Sequence, residues 1–131
     1  MNAPRDNTLA WSQKAEEDLL GIRHLMAGVP VPWSLVCFHA QQAAEKYLKA
    51  FLVSHGFDPE RTHDLAALIH ACERFDSSLG ALRDDCSALT DYAVDARYPD
   101  VPFEATEQLG REAVAMAERI CNAIRHRLPK P

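Results

Sequence analysis

Three groups of residues in this chain have types that could do chemistry: His39, the adjacent His63 and Asp64, and the adjacent Arg97 and Tyr98. Imidazole passes protons near neutral pH, and guanidinium presents a planar fork of donors that suits a phosphate dianion. A histidine and an arginine brought together could therefore serve RNA cleavage or phosphate binding. Each group also has a structural reading. His63 can hydrogen-bond within its own loop at a helix start, and Arg97 can pair with Asp64 or Asp95 to lock a loop in place. Residue types alone leave both readings open.

The element that must position these groups is the stretch Trp33 to His55, WSLVCFHAQQAAEKYLKAFLVSH. Trp33, Val36, Cys37, Ala40, Ala44, Tyr47, Leu48 and Phe51 recur at steps of three and four, which makes one apolar stripe along an α-helix. Beside it His39, Gln42, Lys46 and Lys49 fall on a second strip spanning roughly 80° of the helix surface. Lys46 lies two turns along from His39, so both can face one cleft. Against that, Glu45, Lys46 and Lys49 are spaced to form solvated pairs within the helix.

The flanking segments read as further helices. Asn7 or Thr8 can cap a first helix over 9–26, with Leu9, Trp11 or Ala15, Leu19, Ile22 and Leu25 or Met26 as its apolar positions. Gly28 is placed to take a left-handed cap and Pro30 forbids continuation, while Pro32 suits the first turn of the central helix. Gly56 is the expected stop of the central helix, and Thr62 the expected cap of a third helix carrying Leu65, Leu68, Ile69 and Cys72 on one face. After a break at Asp76-Ser77-Ser78, a fourth helix runs over 79–96 with Leu82, Cys86, Leu89 and Tyr92 or Ala93 inward. Pro99 and Pro102 bar helix from the following loop, and a last helix over 103–127 carries Leu109, Ala113, Met116, Ile120 and Ile124. No alternating β pattern and no repeat interrupts the series. The expected fold is one all-α domain over residues 1–131: an antiparallel up-and-down bundle of four to five helices, three long and two shorter.

Composition narrows the function classes. The 131 residues carry a net charge of −5, whereas a protein that coats nucleic acid through its backbone is normally basic. A small focused site remains compatible with that charge. Basic residues do gather in RICNAIRHRLPKP near the end, which the helix dipole alone explains. The four cysteines stand singly within helical patterns and form no C-x-x-C pair, which argues against zinc or a redox dithiol and for small buried hydrophobes in a cytoplasmic protein. No apolar run approaches the roughly 18 residues of a membrane span, and the first residues lack the basic-then-apolar order of a signal peptide. Trp11, Trp33, Phe38, Phe51, Phe75 and Phe103 are more aromatic surface than a small bundle easily buries, so a homodimer is expected.

The runs FHAQQAAEKYLKAFLVSHG at 38–56, THDL at 62–65 and DYAVDARYPD at 91–100 resemble the HEPN domain, "higher eukaryotes and prokaryotes nucleotide-binding". The resemblance extends over 11–100, and the last helix fits in length and pattern. It implies a helical bundle that dimerises, often beside a minimal nucleotidyltransferase in a toxin–antitoxin-like module, with no cofactor. It also implies nucleotide or RNA phosphate binding, for which His39, Lys46, His63, Asp64, Arg97 and Tyr98 are the residues to test. In the ribonuclease branch, an arginine and a histidine separated by four to six residues meet their counterparts across the dimer and cut RNA without metal. Here the chain departs from the pattern: Pro102, Phe103 and Glu104 occupy the positions where that histidine would follow Arg97. Arg119 and His126, with six residues between them, are the one pair at such a spacing, and the favoured reading is coincidence, with Arg125, His126 and Arg127 solvating the helix end. Three readings follow: a partner subunit that binds a nucleotidyltransferase or nucleotide, a metal-independent ribonuclease toxin, and a non-catalytic dimerisation module.

Overall fold

The computed structural model describes residues 4–95 and 105–130. They form α1 (Pro4–Met26), α2 (Trp33–Ser54), α3 (Leu65–Glu73), a 3-10 helix (Ser77–Leu82), α4 (Arg83–Asp95) and α5 (Glu107–Arg125). This is the all-α bundle read from the periodicity, and no strand occurs among the described residues.

Everything packs on α2. Its alanines Ala40, Ala43, Ala44 and Ala50 are fully buried, the first three share one core with Ala113 and Ala117 of α5, and the backbones of the two helices approach closely. Leu48, Phe51 and Leu52 of α2 fill the remaining space with Leu65, Leu68 and Ile69 of α3 and Ile120 and Ile124 of α5. Burying each such side chain contributes about 1.5–3 kcal/mol. The aromatic ring of Trp33 lies directly over Gly110 of α5, where an added Cβ would run into Cε3. At that site a glycine inside a helix is a packing requirement rather than a flaw.

The contacts fix the directions. Trp11 meets Lys49 and Asp18 meets His39, so α1 runs antiparallel to α2. The pairs Glu73–Arg83 and Leu65–Thr90 set α3 antiparallel to α4, and Asp85–Arg119 with Tyr92–Glu112 set α4 antiparallel to α5. The link from α2 to α3 is different. After Gly56, which has φ 73° and ends α2 as expected, the chain from Phe57 runs back along α2 until the His63 carbonyl accepts from Gln41. Consequently α3 runs parallel to α2, with Cys72 opposite Leu48 and Phe75 against His55. Among the described residues the backbone of α1 approaches only α2.

Several local expectations need correction. α1 begins at Pro4, and Thr8 is a buried residue inside it rather than its cap. Leu9, read as part of the apolar stripe, is 43% exposed, because the inward row is Ala15, Asp18 and Ile22. Gly28 does not adopt the left-handed conformation; the N–H groups of Ala27 and Gly28 instead bond to Arg23 and Leu25 within the last turn. Asp64, not Thr62, caps α3, accepting from Ala66 N at 3.0 Å while Thr62 Oγ1 accepts from Asp64 N. A carboxylate nearer the helix takes the cap. The segment expected to open the fourth helix is the 3-10 turn, capped by Asp76, and α5 starts at Glu107 behind its cap Thr106.

Candidate functional site

The polar side of α2 carries two groups built alike. In the first, Asp18 of α1 projects into the α1–α2 seam and is itself buried. His39 donates from Nδ1 to Asp18 Oδ1 at 2.8 Å, and Lys46 donates to Asp18 Oδ2 at 2.5 Å. A carboxylate withdrawn from water needs such partners, and two charge-capable donors supply them. His39 and Lys46, which the helix spacing puts on one strip, are joined by a third residue, Asp18 on another helix.

In the second group Glu45 is the buried carboxylate. Its Oε1 accepts from His63 Nδ1 at 2.8 Å and from Gln41 Nε2 at 3.0 Å, and its Oε2 accepts from Lys49 at 3.1 Å. Gln42 donates to Gln41 Oε1, which extends the network to the outer strip of the helix. Lys49 is nearly buried, with its ammonium 5.4 Å from the ring of Trp11. The His63 side chain, by contrast, is 72% exposed. Every buried side-chain nitrogen and oxygen among the described residues has a partner.

Both histidines are therefore held through Nδ1 on a carboxylate oxygen, and Nε2 is the ring nitrogen that this bond leaves over. No described residue bonds to Nε2 of either ring. Such an imidazole can accept a proton or, once charged, donate to an anion. The two lysines are matched by the two carboxylates, Lys46 with Asp18 and Lys49 with Glu45.

The other expected residues are placed as follows. Asp64 serves as the cap of α3, one residue beyond His63. Arg97 and Tyr98 lie outside the described residues. Arg119 makes a two-point ion pair with Asp85 of α4 at 2.8 and 2.9 Å, and His126 Nδ1 donates to the Asn122 carbonyl of its own helix at 2.6 Å. These two side chains do not meet. The other terminal cations are also engaged, Arg127 with Asp76 and Arg125 with Glu16.

Arg125 belongs to a further polar contact that ties three helices together. The Tyr47 hydroxyl donates to Glu16 of α1 and accepts from Arg125 Nε of α5 at 3.2 Å. Burial, then the bond to Glu16, pushes the Tyr47 hydroxyl up to about 12. Glu16 is moved the other way: burial works to raise it, and the Tyr47 and Arg125 hydrogen bonds outweigh that and lower it. All four cysteines are buried and free, and burial pushes Cys72, Cys86 and Cys121 up to about 12. Thiols so far from ionising at neutral pH are poor nucleophiles.

Sequence reasoning missed Asp18, Gln41 and Glu45 as parts of a site. The signals were present. Asp18 occupies the inward row Ala15, Asp18, Ile22 and Leu25, where an acid is out of place without a partner. Gln41, Glu45 and Lys49 recur at steps of four along an otherwise apolar margin of α2.

The model of the HEPN domain matches residues 8–127, nearly the whole chain. This chain belongs to the HEPN domain family. The HEPN fold is shared with two solved structures. TT1696 from Thermus thermophilus is 25% identical, with a TM-score of 0.78, over 98% of this chain and 100% of that one. ST0689, an archaeal HEPN homologue, is 27% identical, with a TM-score of 0.73, again over 98% and 100%. No curated protein matches. Among the described residues of this HEPN chain, no helix is long and apolar enough to cross a membrane.

Proposed function

We propose that this HEPN chain is the partner subunit of a minimal nucleotidyltransferase in a toxin–antitoxin-like module, acts as a homodimer, and binds a nucleotide or RNA phosphate along the polar side of α2. The observation that carries this reading is the repeated unit of carboxylate, histidine and lysine, Asp18–His39–Lys46 and Glu45–His63–Lys49. Each unit holds an imidazole through Nδ1 on a buried carboxylate and leaves its Nε2 without a bond to any described residue. Arg97 and Tyr98 complete the set of residues assigned to this binding role.

Isothermal titration with ATP tests the nucleotide half. Heat of binding that is weakened by His39→Gln and by Lys46→Gln supports the reading. Absence of heat at millimolar ATP sinks it. For the partner half, the product of the neighbouring reading frame is co-expressed with the tagged chain; a nucleotidyltransferase with a GS-x-A-R-G-type motif that fails to co-purify counts against the module.

A further inference from the structure

The far end of α2 carries a second feature that the polar side does not use. Phe51, buried in the core, lies 4.6 Å from the ring of His55. His55 in turn stacks on Phe75, centroids 4.6 Å apart and planes 17° from parallel. Phe57 closes on Phe75 edge-first, at 6.0 Å and 70°. The rings thus climb from the core into water, and the last of them, Phe75, is 39% exposed. Phe51 and His55 are tilted 55° to each other, so the parallel stack is the His55–Phe75 pair alone. A lone exposed phenylalanine needs no explanation, but a ring already stacked on one neighbour and still open to water can take another.

A cation stands beside it. Arg74 is exposed, lies with its guanidinium 5.8 Å from the Phe57 ring, and has no carboxylate partner among the described residues. The carboxylate that follows Phe75, Asp76, is already taken by Arg127 and Ser78. Locally, then, an aromatic face and an uncommitted guanidinium adjoin. Aromatic faces bind unpaired bases with little regard to sequence, and arginine supplies the phosphate contact.

We infer that Phe75, with Arg74 beside it, is a stacking site for an unpaired nucleobase and its phosphate, separate from the polar side of α2. The base continues the His55–Phe75 stack and the guanidinium of Arg74 takes the phosphate. The source is either a free nucleotide or a single strand, and the two arms of the test tell them apart.

The test places a reporter in the stack. In the full-length Phe75→Trp variant a larger ring occupies the site, and its fluorescence is followed on adding AMP or a short oligo(A), with the parent chain as the blank for Trp11 and Trp33. Quenching of the added tryptophan is expected. Quenching by AMP identifies the free nucleotide as sufficient; quenching by oligo(A) alone identifies a strand. Phe75→Leu, which keeps an apolar side chain, and Arg74→Gln are expected to weaken binding by about fivefold or more with unchanged thermal unfolding. The same quenching in a Phe75→Trp, His39→Gln background separates this site from the one on α2. No quenching by millimolar AMP or oligo(A), or equal affinity of the parent and the folded Phe75→Leu variant, overturns the proposal.

Discussion

His63 donates its Nδ1 proton to Glu45 Oε1 at 2.8 Å, across eighteen residues of chain. That bond, with the Gln41 amide on the His63 carbonyl, ends the return of the chain along α2 and sets where α3 begins. The same carboxylate also holds Lys49 and Gln41. One buried acid therefore governs the register of α3 and the orientation of an exposed imidazole, which links packing to the chemistry of the site.

Removing the charge of Glu45 is expected to be costly. Glu45→Gln keeps shape and leaves the nearly buried Lys49 without its counter-ion, and breaking a buried pair costs roughly 3 kcal/mol. Urea unfolding measures it. Adding Lys49→Met should recover most of the loss, since the stranded charge is then gone. A Glu45→Gln variant as stable as the parent would show that Lys49 reaches water.

Gly110→Ala sets two effects against each other. Helix propensity favours alanine by about 1 kcal/mol. The new Cβ, however, would collide with Trp33 Cε3, and overpacking of this kind costs about 1–3 kcal/mol. Net destabilisation is expected, with a lower thermal midpoint and altered Trp33 fluorescence. Combining it with Trp33→Phe should return stability toward that of Trp33→Phe alone. If alanine stabilises the chain, α5 does not sit against Trp33 as described.

How much of the fold is legible in the sequence follows from which contacts are periodic. The stripe of α2 from Val36 to Phe51 and that of α5 from Ala113 to Ile124 are readable because apolar spacing alone determines their inward faces. His39 and Lys46 share one strip for the same reason. The role of Asp18 is hidden because it depends on a neighbour across the α1–α2 seam, and periodicity within one helix carries no information on that. The reversal between Gly56 and His63 is likewise hidden: its direction is set by Gln41 and Glu45 binding the far end of the loop. Leu9 reads as inward and is not, because the backbone of α1 approaches α2 alone among the described elements, so its inward stripe is narrower than that of a helix gripped on two sides.

Asp76 gives a pH dependence with a defined window. The Ser78 hydroxyl, then Arg127, hold its carboxyl at about 2, below the ordinary 3.8. A carboxylate with a depressed folded-state value contributes stability that is present above its unfolded value and disappears as pH falls through the folded one. The parent is therefore expected to lose stability relative to Asp76→Asn as pH drops from 3.8 to about 2. Denaturant midpoints of both proteins across that range check it. A gap between them that stays constant with pH would assign the contact no linkage to protonation.

The pair Arg119 and His126 gives the decisive test of a ribonuclease that works through the last helix. Arg119 spends its guanidinium on Asp85 through two hydrogen bonds, and burial is too slight to offset them, so its proton is held more firmly than usual. His126 spends Nδ1 on a backbone carbonyl of its own helix. A guanidinium paired with a carboxylate must be released before it can stabilise phosphate charge, and an imidazole two turns away on the same helix lacks a partner to orient it toward that charge. Arg119→Ala and His126→Ala are thus expected to leave RNA processing by the purified chain at the parent level. The exposed Arg119–Asp85 pair should contribute less than about 1 kcal/mol to stability. Gel analysis of RNA incubated with the parent and both variants, alongside thermal unfolding, reads both effects. Cleavage by the parent that vanishes in either folded variant would return the catalytic role to α5.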